Sequence, residues 1–149
     1  SLLGFEHFWI DSVTSDGMGI INEDYIEPDE NELRFNGKTY VLISGRSFSS
    51  AVMFASAIKD CKIACLIGQE TGGLASETGD MYPFNLPNTN LGAFVSHKRF
   101  IRPSGEDDGK GVLPDIEVPL SIDDKLSGRD TEMEFTRKLI LERRNNTLK

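Results

Sequence analysis

Between Thr39 and Ile67 the hydrophobic pattern changes period twice, and few architectures accommodate that. Thr39-Tyr40-Val41-Leu42-Ile43-Ser44 is a strand-like run behind the turn signal Asn36-Gly37. Gly45-Arg46 breaks it. Ala51, Phe54, Ala55 and Ile58 then fall at i, i+3, i+4 and i+7, the stripe of an amphipathic helix that ends near Lys59-Asp60. Ile63-Ala64-Cys65-Leu66-Ile67 follows as an uninterrupted apolar run, the pattern of a strand buried on both faces. A strand, a helix and a second buried strand in such short order predict a crossover between two parallel strands. The fold class is α/β.

The remainder of the chain is less regular. Residues 68–76 read as a flexible segment, and short strands are expected near residues 82–86 and 91–96, hinged at Pro87-Asn88. A loop over residues 102–111 leads into Val112-Leu113-Pro114-Asp115. Thr131 and Glu134 have capping-box spacing, which predicts a helix with Thr131 as N-cap, carrying Phe135, Leu139 and Ile140 to a basic end at Arg143 and Arg144.

Composition narrows the partners. A chain of 149 residues holds one ordinary core, and 38% hydrophobic residues make disorder implausible. The net charge of −8 repels a phosphate backbone, so nucleic acid is not an expected partner. No apolar stretch approaches the roughly 18 residues that a membrane span needs. The start at Ser1, without Met or a signal pattern, suggests a processed product or a piece of something longer. Cys61 and Cys65 flank the start of an extended strand, which predicts two free thiols. With only His7 and His97 besides, a zinc site is not expected. The acidic stretch from Glu23 to Glu32 lacks the ligand alternation of a calcium loop and reads as solvated. No metal or cofactor is expected.

The chemistry concentrates at the strand-to-helix turn, where Ser44, Ser47, Ser49 and Ser50 crowd together. One serine could cap the helix, its hydroxyl accepting a free backbone N–H, for about 1 kcal/mol. Alternatively a serine there could be a nucleophile, with the free N–H groups and positive dipole end stabilising an oxyanion. No Gly-x-Ser-x-Gly elbow is present.

Three segments occur in order: residues 40–51, Tyr-Val-Leu-Ile-Ser-Gly-Arg-Ser-Phe-Ser-Ser-Ala; residues 67–73, Ile-Gly-Gln-Glu-Thr-Gly-Gly; and residues 111–115, Gly-Val-Leu-Pro-Asp. Together they resemble the C-terminal-processing, or tail-specific, serine peptidases. The likeness is greatest to the branch that includes the tricorn core and the interphotoreceptor retinoid-binding proteins, and it runs from about residue 35 to 118. It implies a crotonase-like (Clp protease-like) core, apparently incomplete in this chain, whose C-terminal half spans residues 35–120. Residues 1–34 are then a lead-in with the acidic loop, and residues 121–149 a C-terminal helix and tail. It places the nucleophile at Ser49 and an oxyanion donor at the backbone N–H of Ser50, with Ser47 holding the turn. It brings Thr71, Gly72 and Gly73 past the substrate backbone; an ordinary strand-exit turn is the other reading of that loop.

The departures from the family pattern are as informative. Leu74 stands where the processing branch has its lysine base, and Val52 where an acid often closes the serine motif. The tricorn-like branch takes a histidine and an oxyanion glycine from an upstream segment that is absent here. His7 lies too close in sequence to match that histidine, and His97 matches no family position and reads as a surface or packing residue. Glu106, Asp107, Asp108 and Asp115 are candidate acids for orienting a base, though a solvated loop also accounts for the first three. The resemblance thus implies a serine peptidase acting on polypeptides, with its base supplied by a missing upstream half. It implies a periplasmic or extracellular location, and the bare strand edge of half a core predicts self-association. The rival reading is an inactive peptide- or apolar-ligand-binding protein on the same scaffold.

Overall fold

The computed structural model describes residues 12–20, 32–33 and 35–147. The chain divides into two units, Ser1–Asn36 and Gly37–Lys149. In the first, β1 (Ser12–Val13) and β2 (Gly19–Ile20) pair antiparallel across a turn in which Gly17 takes φ 86° and Thr14 hydrogen-bonds Asp16. This hairpin was not legible in the sequence. His7 and the acidic stretch up to Glu30 lie outside the described residues.

The second unit is built on the expected crossover. Strands β3 (Tyr40–Ile43) and β4 (Cys65–Gly68) run parallel, with Tyr40 opposite Cys65 and Ile43 opposite Gly68. Helix α1 (Ser50–Asp60) connects them. A third parallel strand, β7 (Ile116–Glu117), joins the far side of β4, giving the order β3-β4-β7. Leu66 and Ile67 of the central strand are fully buried, as an apolar run without alternation requires. Ile43, Val52, Ala55, Ile58, Leu66, Ala75 and Val112 form the core.

The buried face of α1 differs from the expected stripe. Ala55 and Ile58 are buried as anticipated, but Ala51 and Phe54 are exposed, and Val52 and Ser56 take their place. Val52, Ala55 and Ser56 also have i, i+3, i+4 spacing, so two overlapping stripes competed. Ser56 could join the core because its hydroxyl donates to the Ala75 carbonyl at 3.2 Å.

Strands β5 (Glu77–Asn85) and β6 (Gly92–Phe100) form an antiparallel hairpin longer than the two expected strands. Its polar near half, with Glu77, Thr78, Asp80 and His97 to Arg99, hid the strand period. Helix α2 (Ile122–Ser127), absent from the sequence reading, opens with a capping box between Ser121 and Asp124 and ends on Gly128 at φ 70°. Helix α3 (Thr131–Thr147) was expected, but its cap lies one residue earlier. Thr131 is already helical, and the Asp130 carboxylate accepts the Met133 N–H at 3.0 Å. Helix α3 lies against β3 and β4, where Arg143 donates to the Tyr40 hydroxyl at 3.0 Å and sits 5.7 Å from the ring centroid. Cys61 and Cys65 are both free thiols.

Candidate active site

β3 ends at Ile43 and α1 begins at Ser50, leaving six residues to reverse the chain. The turn is tied internally. The Ser47 N–H donates to the Ser44 carbonyl at 2.8 Å, and the Ser44 N–H donates back to Ser47 Oγ at 3.2 Å. Ser47 therefore holds the turn, the part that the family likeness implied for it.

Ser49 carries the strain of the reversal. Its backbone has φ 54° and ψ −128°, a conformation that L-residues other than glycine adopt at a cost of about 1–3 kcal/mol. It occupies the N-cap position, and its carbonyl accepts the Val52 and Met53 N–H groups at 2.7 and 3.1 Å. Its side chain, however, makes no cap hydrogen bond. The helix-cap reading of Ser49 is thereby set aside: the hydroxyl is exposed and accepts no helix N–H. Among the described residues no imidazole, amine or carboxylate hydrogen-bonds it.

The next residue begins the helix, and among the described residues its N–H donates to no protein acceptor, as the first turn of a helix dictates. No acidic residue occupies that first turn. The free Ser50 amide and the positive end of α1 thus follow Ser49 directly in the chain, donors of the kind that suit a developing oxyanion.

The loop after β4 packs onto this turn. The Gly72 and Gly73 N–H groups both donate to the Ser47 carbonyl at 3.1 Å. A Cβ on Gly72 would stand 2.3 Å from the Gly45 carbonyl oxygen and 2.4 Å from the Phe48 ring, so only glycine fits. Thr71 is 5% exposed, its hydroxyl donating to the Gly73 carbonyl and accepting the Val112 N–H. Leu74 is 47% exposed, whereas Val52 is fully buried in the core.

The remaining candidates have partners of their own. Asp115 binds Lys59 Nζ at 2.5 Å and accepts the Leu66 N–H at 2.8 Å, tying the end of α1 to the central strand. Burial raises its pKa, but the Lys59 and Leu66 hydrogen bonds outweigh that and leave it below the ordinary value. Asp107 pairs with Arg99, Glu106 lies 3.9 Å from Arg102, and Asp108 accepts the Lys110 N–H at 3.1 Å. His97 Nε2 lies 3.5 Å from Asp80 on the facing strand of its hairpin. Among the described residues no group of three or more His, Cys, Asp or Glu side chains could hold a metal ion, and no helix is long and apolar enough to cross a membrane. Sequence reasoning missed Glu70, whose Oε1 accepts the Gly111 N–H at 2.8 Å, and the pairing of Asp60 with Arg102. Both join segments some forty residues apart, and no local pattern announces them.

The chain is 31% identical over 111 residues to the tail-specific protease of Haemophilus influenzae, which covers 71% of this chain and 16% of that protein. Its fold is similar to the crystal structure of mature CPAF, with a TM-score of 0.57 and 27% identity over 72% of this chain and 20% of that one. The chain thus spans about a sixth to a fifth of the length of these relatives. The model of Peptidase family S41 matches residues 10–118, which include the whole serine turn and the Gly72-Gly73 loop. The chain is a member of peptidase family S41.

Proposed function

We propose that the protein to which these residues belong is a serine peptidase that hydrolyses peptide bonds in polypeptides, with Ser49 as nucleophile. The observation that carries this is the strained, uncapped Ser49 beside the free amide of Ser50. Structures keep such strain mainly where function uses it. The parallel crossover sheet and the likeness to CPAF support a crotonase-like core, of which residues 35–120 are the C-terminal half, residues 1–34 a lead-in and residues 121–149 an added helix and tail. Ser49 Oγ attacks the scissile carbonyl and passes its proton to a base from the upstream half of the parent chain. The Ser50 N–H shares the resulting oxyanion. Collapse expels the amine, which takes up the proton, and water then hydrolyses the acyl-enzyme. The reaction needs no metal or cofactor. The relatives favour an exported protein, periplasmic or extracellular, acting near polypeptide C-termini.

Leu74 in place of the family's lysine supports the rival reading, an inactive scaffold that binds peptides or apolar ligands. Incubating an unfolded polypeptide with the longest encoded chain that contains these residues, and with its Ser49→Ala variant, separates the two. Product masses that appear only with the unsubstituted protein support the peptidase. A folded protein that binds the polypeptide with equal strength in both forms, and never cleaves it, supports the scaffold.

A further inference from the structure

Strain at Ser49 persists only where the surroundings over-determine it, and the contacts that do so can be followed outward. The Ser47 carbonyl accepts two amides, those of Gly72 and Gly73. Both glycines pack closely on the turn: a Cβ on Gly72 would collide with the Gly45 carbonyl and Phe48 ring, and one on Gly73 would stand 3.0 Å from Val52 Cγ2. Their position is fixed in turn by Thr71. Its hydroxyl donates to the Gly73 carbonyl at 2.9 Å and accepts the Val112 N–H at 2.8 Å, while its own N–H donates to the Val112 carbonyl at 3.2 Å. Val112 is fully buried in the core. Glu70 adds its bond to the Gly111 N–H, and Gly111 has no room for a Cβ, which would stand 2.4 Å from the Thr71 carbonyl oxygen. A continuous path of hydrogen bonds and close contacts therefore runs from the core at Val112 through Thr71 and the glycines to the turn that bears Ser49.

We infer that Thr71, backed by Glu70, is a positioning residue for the Ser49 hydroxyl, clamping the Gly72-Gly73 loop against the nucleophile turn. This rests on the peptidase reading and deepens it. Thr71 is buried and its hydroxyl is committed on both sides, so it acts through the turn and not by touching substrate.

The test uses the longest encoded chain and its Thr71→Val, Thr71→Ser and Glu70→Ala variants. The readouts are the rate of fluorophosphonate labelling of Ser49 and the steady-state cleavage of a peptide substrate. Thr71→Val keeps the side-chain shape and removes the hydroxyl. It is expected to slow labelling and kcat about ten- to a hundredfold, the scale of an ångström-sized misplacement. KM should stay within about twofold, because ground-state binding is untouched. Thr71→Ser restores the rate. Glu70→Ala, at an exposed position that leaves the core intact, shows the same split at a several-fold level. A raised KM with unchanged kcat overturns the inference by making the loop a substrate contact. Unchanged labelling of folded Thr71→Val and Glu70→Ala overturns it by making the clamp purely structural. Absence of labelling in the folded, unsubstituted chain overturns the peptidase reading itself, and the inference with it.

Discussion

Arg102 grips Asp60 from two sides, Nη2 to Oδ1 at 2.5 Å and Nε to Oδ2 at 3.0 Å, with side chains only 10% and 7% exposed. Asp60 ends the helix that begins beside Ser49, and Arg102 opens the loop that returns to Val112. The Ser104 N–H also donates to Asp60 Oδ2, at 3.0 Å. Asp60→Asn removes the nearest counter-charge of the guanidinium and leaves Glu106, 3.9 Å away, so the loss of a charged hydrogen-bonded partner should cost about 1.5–3 kcal/mol. Urea unfolding of the two proteins checks this, and a loss below about 1 kcal/mol would mean that the pair is no more than a surface ion pair.

Acid undoes the same clasp. The Arg102 hydrogen bond holds the Asp60 carboxyl below its ordinary value of 3.8. The unfolded chain therefore binds that proton more readily than the folded one. The stabilisation is complete above the ordinary value and is lost as pH falls through the lower, folded value. Unfolding midpoints taken from neutral pH down to the acid range should fall more steeply for the unsubstituted protein than for Asp60→Asn. Parallel curves would show that Asp60 is not among the linked groups.

Substitutions at Ser49 separate strain from capping. Ser49→Ala removes no cap hydrogen bond, so stability should change by less than about 0.5 kcal/mol, where loss of a true N-cap costs about 1. Ser49→Gly accepts φ 54° without steric cost and should stabilise the fold by about 1 kcal/mol while abolishing activity. Thermal unfolding reads both, and a destabilised Ser49→Ala would restore the cap.

Two glycines of the site should respond oppositely to a methyl group. Gly72→Ala drives a Cβ into the Gly45 carbonyl and the Phe48 ring, an overpacking that costs about 1–3 kcal/mol. Gly45→Ala meets nothing within 4 Å and should be nearly neutral. Equal effects in denaturant unfolding would contradict the packing of the loop on the turn.

The hairpin of β5 and β6 carries an apolar outer half on both faces: Tyr82 opposite Val95 and Phe84 opposite Ala93 on one, Pro83 opposite Phe94 on the other. Most of these side chains are exposed, and a two-stranded ribbon is marginal alone. The 149-residue chain by itself should self-associate with rising concentration. Joint Tyr82→Ser, Phe84→Ser and Phe94→Ser substitutions should return it toward the monomer in sedimentation, and an unsubstituted chain that stays monomeric would show that the ribbon needs no cover.

What the sequence disclosed follows from which forces are local. The crossover from Tyr40 to Gly68 was readable because two unbroken apolar runs flank a segment of helical spacing, and the serine turn because it lies between them. The face of α1 was misplaced because Val52 is buried in a core that includes distant Val112, and Ser56 through its bond to the Ala75 carbonyl, which no helical wheel contains. The cap of α3 moved to Asp130 because two adjacent residues could each have capped. The positive φ of Ser49 was hidden altogether, since serine has no preference for it, and the loop that packs on its turn through the Ser47 carbonyl lies twenty-odd residues away.

The central claim is that Ser49 is an activated nucleophile. The most direct measurement is the intact mass of the longest encoded chain after treatment with a fluorophosphonate probe, beside its Ser49→Ala variant. A single adduct on the unsubstituted protein, mapped to the peptide containing Ser49 and absent from the variant, is the result expected. A folded protein that gains no mass, or gains it equally in both forms, would contradict the account.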